Sequence, residues 1–407
     1  MLPDPSAAEG LEEDTSMQDP EQTRAGNELK VRDVTAYATS FPVPPEDRVT
    51  LGVGRAIKRD AVVVKVTTEC GLVGYGESHH GRAHSTIAHF INTSLRPFVV
   101  GRDAADVTGI WKTIYARQLS SMGLGAACAM AMSGIDMALW DIRAKAVGWP
   151  LYRLLGGSAR AIPAYAGGVA LGWQEPSELV EEAVRQREAG YRALKLRLGD
   201  TAANDIARVQ AVRKALGPDM VVLGDANTAY TLDTARAVMP VLDECQAGWL
   251  EEPFPPHDYR SYELARSYGH VPFAAGENHY TRFEFNPLID GKAVTVIQPD
   301  LSKAGGITEV LRIAAMASAH KLQVHLHTSM TGINMAATVH VLAALENSGY
   351  FEADVSKNNR FRDELVSTPF RLSPDGSVMP LDRPGIGIEV DEDFLLAHPT
   401  IEGPAYV

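Results

Sequence analysis

Three acidic residues at equal spacing constrain the fold of this chain more than any other feature. Short apolar runs in the middle of the sequence end at Asp225, Glu251 and Glu277. A strand, a helix and two short loops fill about as many residues as each interval. The spacing therefore predicts three consecutive βα units, each of which places one carboxylate at the same end of its strand.

These carboxylates would repel one another if they converged without a cation between them. Ligand sets made only of oxygen suit a hard divalent ion, most simply Mg²⁺. We therefore interpret Asp225, Glu251 and Glu277 as candidate metal ligands.

The segment from 161 to 355 alternates between strand and helix patterns. Strand patterns occupy 162–168, 193–199, 221–227, 248–253, 272–278, 294–302, 323–329 and 350–355. The clearest helical patterns lie at 177–189, 203–216 and 307–320. Such repetition predicts a (β/α)₈-type barrel. A doubly wound sheet is the alternative, but no Gly-rich phosphate loop follows the first strand.

The rest of the chain divides by pattern. Residues 1–28 are polar and acidic, and we expect a flexible tail without a chemical role. The patterns over residues 29–158 predict an α+β capping domain. This domain is β-rich to about residue 78 and helical from residue 84, and it includes a helix over 126–147. Residues 159–365 then form the barrel, and 366–407 return to the cap.

Composition excludes several classes of function. The net charge of −13 gives no attraction to nucleic acid or to a membrane surface. No apolar stretch is long enough to span a bilayer, and the N-terminus lacks a signal pattern. The three scattered cysteines favour a reducing compartment, so we expect a cytoplasmic location. Since neither nucleic acid nor a membrane is indicated, we expect a small-molecule partner.

Functional residues of barrels lie at the C-terminal ends of strands. In this chain those ends carry Lys195 and Arg197, Asp225 and Asn227, Glu251, Glu277, Asp300, His327 and Glu352. One acidic strand end is usually a helix cap or a solvated residue. So many charged ends in succession favour a site.

Lys195 and Arg197 lie two residues apart on one strand, so they share a face. Leucines alternate with them, and the outward face of a barrel strand should be apolar. This pattern predicts that both cations point into the lumen, the alternative being two surface cations.

His327 is a candidate general base. Asp300 ends the preceding strand, and a carboxylate that holds one imidazole nitrogen raises the basicity of the other. His325 lies deeper in the strand, and we expect it to be structural. Lys303 follows Asp300 by three residues, and we expect it to face away from the lumen without a role.

Taken together, these residues resemble the enolase superfamily and, within it, the mandelate racemase subgroup. The match runs from about residue 30 to the C-terminus. It includes 133–141 (SGIDMALWD), 150–152 (PLY), 154–157 (LLGG), 224–227 (GDAN), 250–253 (LEEP), 276–278 (GEN), 298–300 (QPD) and 305–306 (GG). The implied fold is α/β: a modified TIM barrel of the (β/α)₇β type, with an N-terminal α+β capping domain completed by the C-terminal segment.

The resemblance also implies roles for the strand-end residues. It implies that Asp225, Glu251 and Glu277 bind Mg²⁺. It implies that Lys195 contacts the substrate carboxylate and that Glu352 hydrogen-bonds to it.

Asp300 and His327 resemble the dyad of this family, and a sixth strand that ends in Asp separates the chain from the muconate lactonizing subgroup. The commonest family pattern has Lys at both positions of the second-strand pair, whereas this chain has Arg197. Guanidinium stays protonated and presents a rigid fork of donors. We expect Arg197 to bind or stabilise charge and not to accept a proton, which leaves His327 as the base.

The implied activity is Mg-dependent abstraction of the proton α to a carboxylate through an enediolate. Dehydration of a sugar acid, an aldonate or an aldarate, to a 2-keto-3-deoxy acid is the leading hypothesis. A racemase, epimerase or cycloisomerase is the alternative, and a non-catalytic carboxylate-binding barrel is the remote one. Relatives are homo-oligomers, so we expect an oligomer here.

Substrate specificity is expected from the capping loops 39–55 and 79–84. Sugar acids present several hydroxyls, and polar loops suit them; the alternative is that both are ordinary solvated loops. His79 and His80 lie in the second loop and lack a third ligand nearby in sequence, so they are not assigned to the metal.

Overall fold

An antiparallel sheet begins the part of the chain that the computed structural model describes, residues 29–121 and 124–407. The predicted acidic tail, residues 1–28, lies outside the described residues. Strands β1 (Val31–Pro42), β4 (Lys58–Thr68) and β5 (Val73–Ser78) form a three-stranded sheet in that order. A hairpin of β2 (Thr50–Leu51) and β3 (Gly54–Arg55) is inserted between β1 and β4.

Four α-helices complete this first region: α1 (His84–Phe90), α2 (Val107–Ile114), α3 (Ala126–Ala146) and α4 (Leu151–Leu154). Helix α3 is rich in good helix formers, and small or apolar residues cover most of its faces, so most of the helix is buried. Gly148, with a left-handed φ of 68°, follows its end, as expected for a helix C-terminus.

Helix α3 packs backbone to backbone on β5. A Cβ added at Gly74 would lie 2.1 Å from the carbonyl oxygen of Ala138, and one added at Gly76 would lie 2.1 Å from that of Gly134. Only glycine fits at these two positions, because any side chain would push the helix off the sheet.

The second region is a curled sheet of eight parallel strands with seven helices between them. The strands are β6 (Ile162–Gly167), β7 (Ala193–Arg197), β8 (Val221–Asp225), β9 (Leu250–Glu251), β10 (Phe273–Ala275), β11 (Val294–Ile297), β12 (Gln323–Val324) and β13 (Phe351–Asp354). The helices are α5 (Pro176–Glu188), α6 (Ala202–Leu216), α7 (Leu232–Glu244), α8 (Tyr259–Ala265), α9 (Thr281–Asp290), α10 (Gly306–Ala319) and α11 (Gly332–Ala344).

The strands follow the order β12-β11-β10-β9-β8-β7-β6-β13. Strand β13 thus pairs with β6, and a single parallel bridge between Val324 and Ser348 lies between the two ends of the row. This arrangement confirms the predicted α/β fold with a modified (β/α)₇β barrel. Several strands are shorter than their patterns: β11 stops at Ile297, after which Asp300 makes only an isolated bridge to His327 and the chain turns over 301–305.

The C-terminal segment returns to both regions. After α12 (Arg360–Asp363), strand β14 (Ser377–Val378) pairs with β6, and α13 (Glu392–Ala397) follows. Antiparallel bridges then join Pro399 to Thr39 and Tyr406 to Ala56. The domain boundaries 29–158, 159–365 and 366–407 remain a prediction.

The cap is held on the barrel by buried hydrogen bonds between α3 and α10. Thr308 donates its backbone N–H to Asp136 Oδ2 at 2.9 Å, and its hydroxyl accepts from Trp140 Nε1 at 2.9 Å. One continuous hydrophobic core includes residues of both regions. Within residues 29–121 and 124–407, no helix is long and apolar enough to cross a membrane.

Replacing Gly76 by alanine tests the contact between β5 and α3. The added Cβ would meet the carbonyl oxygen of Gly134, so we expect the free energy of unfolding in urea to fall by about 1–3 kcal/mol. Gly291→Ala is the matched control, because Gly291 has a helical φ of −65° and its new Cβ would stay 3.2 Å from the nearest atom. An equal loss in both variants would contradict this account.

Candidate active site

The register of the parallel strands brings the predicted strand-end residues into one row. Arg197 on β7 pairs with Asp225 on β8, which pairs with Glu251 on β9. Glu277 lies just beyond β10, the next strand in the sheet. The three predicted metal ligands therefore stand at adjacent strand ends, all largely shielded from solvent.

Lys195 is the most enclosed cation of this row. Its side chain is fully buried, and Nζ lies 2.8 Å from Glu251 Oε1, 3.0 Å from Glu352 Oε1 and 3.5 Å from Asp225 Oδ2. Burial alone would lower the pKa of Lys195, but the charges of Glu251 and Glu352 raise it well above its ordinary value. Lys195 is therefore a permanent positive charge inside the barrel.

Arg197 also points into the barrel. Its guanidinium donates to Asp225 Oδ2 and to the carbonyl oxygen of Gly168. Burial opposes the charge, but Asp225 and other nearby carboxylates raise the pKa of Arg197, so it stays protonated. The other oxygen of Asp225 accepts the backbone N–H of Asn227 at 2.8 Å.

Glu251 lies at the centre of the row. Burial raises the pKa of Glu251 to about 7; the charge of Lys195 opposes this shift and that of Asp225 adds to it. Its second oxygen accepts from Gln298 Nε2 at 2.8 Å and from Trp249 Nε1 at 3.2 Å. Burial is thus the main cause of the raised pKa, and Lys195 offsets only part of it.

The predicted dyad is formed. His327 Nδ1 lies 2.6 Å from Asp300 Oδ2, and His327 Nε2 lies 2.6 Å from Glu277 Oε2. Asp300 is itself fixed by donors that include Ser329 Oγ at 2.6 Å and Asn334 Nδ2 at 2.9 Å. Asp300 therefore holds one ring nitrogen and directs the other towards the carboxylates of the row.

The carboxylates around His327 favour its protonated form. Burial would lower the pKa of His327, but the charges of Glu277 and Glu352 and the hydrogen bond to Asp300 raise it to about 10. Burial would raise the pKa of Asp300, but the hydrogen bond to His327 and the charge of that ring lower this pKa to about 2.

The prediction for Lys303 is wrong. Lys303 is buried and lines the same cavity as His327, and its Nζ lies 3.9 Å from Glu277 Oε1. The prediction continued the strand through this segment, but β11 ends at Ile297 and a turn follows. Within that turn Lys303 N donates to the carbonyl oxygen of Asp300 at 3.1 Å, so positions three apart return to one side. That spacing of three was the missed signal.

Two other predicted residues have clear contacts. His325 Nδ1 accepts the backbone N–H of Tyr350 at 2.9 Å within an aromatic cluster, an arrangement that fits a structural residue. Glu352 Oε1 accepts the backbone N–H of Gly168 at 3.2 Å besides its contact with Lys195, so this carboxylate is held in place.

A cavity of about 400 Å³ opens above the row. Its lining includes Arg197, Glu277, His327, Lys303, His79, His80 and Tyr406. Residues of the cap loop 79–84 and of the C-terminal segment thus complete the lining of the cavity.

The donor chemistry of the row fits Mg²⁺, although its side chains are paired with cations in this arrangement. Among residues 29–121 and 124–407, no three His, Cys, Asp or Glu side chains converge as a ready metal site. The acids nevertheless outnumber the permanent cations. The acids are Asp225, Glu251, Glu252, Glu277, Asp300 and Glu352, and the cations are Lys195, Arg197 and Lys303. Such an excess of oxygen donors suits a hard divalent ion.

Comparisons with known proteins identify the relatives of this chain. The family described as Mandelate racemase / muconate lactonizing enzyme, N-terminal domain, matches residues 34–156, and Enolase C-terminal domain-like matches residues 178–394. A D-galactonate dehydratase of Verminephrobacter eiseniae is 33% identical over 82% of this chain and 89% of its own. An arabinonate dehydratase of Saccharolobus solfataricus is 31% identical over 88% and 96%. A D-galactarolactone cycloisomerase of Agrobacterium fabrum is 31% identical over 83% and 91%.

Comparison with solved structures also identifies relatives in the enolase superfamily. A member of the enolase superfamily from Polaromonas sp. JS666 is 55% identical with a TM-score of 0.91, covering 93% of this chain and 100% of its own. A racemase from Streptomyces coelicolor with bound magnesium is 28% identical with a TM-score of 0.81, covering 91% and 100%.

Removing the charge at Asp300 tests the coupling in the dyad. Asp300→Asn leaves an amide beside His327 Nδ1 that no longer stabilises imidazolium, so we expect the pKa of His327 to fall from about 10 towards the ordinary range. NMR titration of histidine-labelled, metal-free protein measures this change, and the exposed His320 serves as the internal reference. An unchanged His327 titration would show that Asp300 does not set its charge.

Proposed function

We propose that this chain, which belongs to the mandelate racemase subgroup of the enolase superfamily, dehydrates a sugar acid to a 2-keto-3-deoxy acid. One observation carries the proposal. His327, held by Asp300 at 2.6 Å, faces a row of carboxylates beside the buried cation Lys195 at the mouth of the barrel. This arrangement combines a base with positive charge, which is what removal of a proton α to a carboxylate requires.

We assign Asp225, Glu251 and Glu277 to Mg²⁺. They are the acids at three adjacent strand ends, and the magnesium-bound racemase structure supports the choice of ion. When bound, the ion supplies positive charge beside the substrate carboxylate, where negative charge develops.

Lys195 binds the substrate carboxylate in this proposal. Its fixed charge lies in a dry interior, where an electrostatic contact is stronger than in water. Loss of the α-proton turns the carboxylate into an enediolate with a second negative charge, which Lys195 stabilises. Glu352, 3.0 Å from Lys195, orients this cation, and as a carboxylic acid it would donate a hydrogen bond to the substrate carboxylate.

His327 acts first as base and then as acid, starting from its neutral form, which it takes once Nε2 is released from Glu277. Nε2 takes the α-proton, and the electron pair of the broken C–H bond forms the enediolate. That electron pair then forms a double bond to the β-carbon as the C–O bond to the β-hydroxyl breaks. The proton on His327 passes to the departing hydroxide, so water leaves and the resulting enol becomes a 2-keto-3-deoxy acid.

Arg197 limits the reaction to one base. Its guanidinium stays charged beside Asp225 and cannot accept a proton, so its place is to bind or stabilise charge. A racemase that works on both faces of the α-carbon needs a second base. The single base therefore favours elimination over racemisation.

A cycloisomerase is the second candidate, because a D-galactarolactone cycloisomerase lies among the relatives. Opening a ring by β-elimination also needs one base and uses the same residues. Reaction in D₂O separates the candidates: a 2-keto acid indicates dehydration, a ring-opened isomer indicates cycloisomerisation, and deuterated returned substrate indicates epimerisation. Oligomeric state and cytoplasmic location stay predictions.

Replacing His327 by asparagine tests the base. In a screen of mono- and diacid sugars with Mg²⁺, we expect His327→Asn to lower kcat for 2-keto-acid formation by roughly 10²–10⁴-fold. His320→Asn, at an exposed site, is the control and should keep full activity. Undiminished turnover in His327→Asn would exclude His327 as the base, and no turnover of any substrate by the unchanged protein would favour the non-catalytic alternative.

Replacing Glu251 by glutamine tests the metal assignment. The amide keeps the size of the side chain but loses the charge, so we expect calorimetry to show at least a tenfold weaker affinity for Mg²⁺. Glu364→Gln, on an exposed side chain outside the site, should bind Mg²⁺ as the unchanged protein does. Equal affinities in the two variants would mean that the ion is held elsewhere. Chelation of the metal should abolish turnover and Mg²⁺ restore it.

A further inference from the structure

Lys303 is a buried cation without a hydrogen bond. Only 4% of the residue is exposed, and among the described residues Nζ has no partner within hydrogen-bond distance. Its nearest carboxylate oxygen, Glu277 Oε1, is 3.9 Å away and already accepts from Asn278 Nδ2 at 3.0 Å. Nζ borders the cavity and is only partly hydrated, and such an ammonium group gains from an anionic or hydrogen-bonding partner. The cavity that Lys303 lines is where such a partner can sit.

Two histidines of the cap add donors to the same wall. The rings of His79 and His80 stack at 4.2 Å, and each Nδ1 accepts a backbone N–H, from Gly81 and from Arg82, at 3.0 Å. The hydrogen of each neutral ring is therefore on Nε2, for which no partner exists among the described residues. Burial lowers the pKa of both rings, so they are neutral donors.

The turn that presents these rings is specifically shaped and joined to Lys303. Gly81 and Arg82 both have left-handed backbones, with φ of 54° and 59°, and a side chain pays about 1 kcal/mol or more for that conformation. His79 N donates to the carbonyl oxygen of Ser302 at 3.0 Å, which fixes the turn against the residue preceding Lys303.

Lys303 and the two histidines lie at a different part of the sheet from Lys195. Lys195 is on β7 and Lys303 follows β11, and the three strands between them, β8 to β10, carry the three candidate metal ligands. Positive charge thus stands on both sides of the acidic row. Lys195 is paired with carboxylates at 2.8 and 3.0 Å, whereas Lys303 is not paired at such distances.

We infer that Lys303, His79 and His80 form a second anion-binding subsite, which receives the distal carboxylate of a diacid sugar. This inference rests on the proposed function, in which Lys195 and the metal hold the carboxylate next to the reacting carbon. The substrate class is then an aldarate in preference to an aldonate, because an aldonate ends in a neutral hydroxymethyl group. That neutral end would leave Lys303 with only the more distant carboxylate of Glu277, at 3.9 Å, as a counter-charge, which carries a free-energy cost.

Replacing Lys303 by glutamine tests the subsite on a matched pair of substrates. These are a six-carbon aldarate and the aldonate of the same stereochemistry, assayed with Mg²⁺. Loss of one charge-assisted contact should lower kcat/KM for the aldarate by roughly 10- to 100-fold and leave that for the aldonate within about threefold. Lys303→Arg should restore part of the aldarate preference, and Lys112→Gln, on an exposed face of the cap helix α2, should change neither value.

An equal fall in kcat/KM for both substrates would overturn the inference, since Lys303 would then act at the reacting carbon or through Glu277. The inference would also be overturned if kcat/KM changed for neither substrate, or if a phosphorylated sugar acid were turned over faster than the aldarate. Calorimetric binding of the two acids to His327→Asn, with and without Lys303→Gln, gives a readout independent of turnover. A tenfold loss of aldarate affinity supports the subsite even if dehydration itself is not found, and an unchanged affinity overturns it.

Discussion

The buried contacts of Lys195 with Glu251, Glu352 and Asp225 are the constraint on which the rest of the site depends. A single ammonium group lies among three carboxylates, all of them shielded from solvent, where unbalanced charge is expensive. The balance holds only if β7, β8, β9 and β13 keep their order and register, because each strand supplies one of the four groups. Barrel geometry and site chemistry are therefore one requirement, and a register slip in any of these strands would bury a lone charge.

The cap is tied to this network by polar groups as well as by apolar packing. Glu77 on β5 accepts the backbone N–H of Thr331, which precedes α11, at 3.0 Å, and Ser133 on α3 accepts from Gly305 at 2.9 Å. These contacts lie close to the strand ends that carry the dyad. The cap therefore fixes the loops that follow β11 and β12 as well as closing the cavity.

The equal spacing of the acids predicted the row of carboxylates, and the alternation of strand and helix patterns predicted the barrel, because parallel βα units repeat the same geometry. The alternation of Lys195 and Arg197 with leucines likewise placed both cations inside. Lys303 was misplaced because its direction depends on where β11 ends and the following turn begins, and strand ends are set by tertiary contacts. The sequence also did not reveal that the carboxylates are paired with cations, because these pairs depend on which cations lie within reach after folding.

The wall of the cavity contains Tyr406, which bridges to Ala56 across the cap. Residues separated by nearly the whole sequence therefore meet at the catalytic chamber. On a ribosome, the acidic row is complete long before the strand-like segment around Tyr406 emerges. Until that segment docks, the charges of the row stay more open to water, so the chamber takes its final form only after the C-terminal segment has folded back onto the cap.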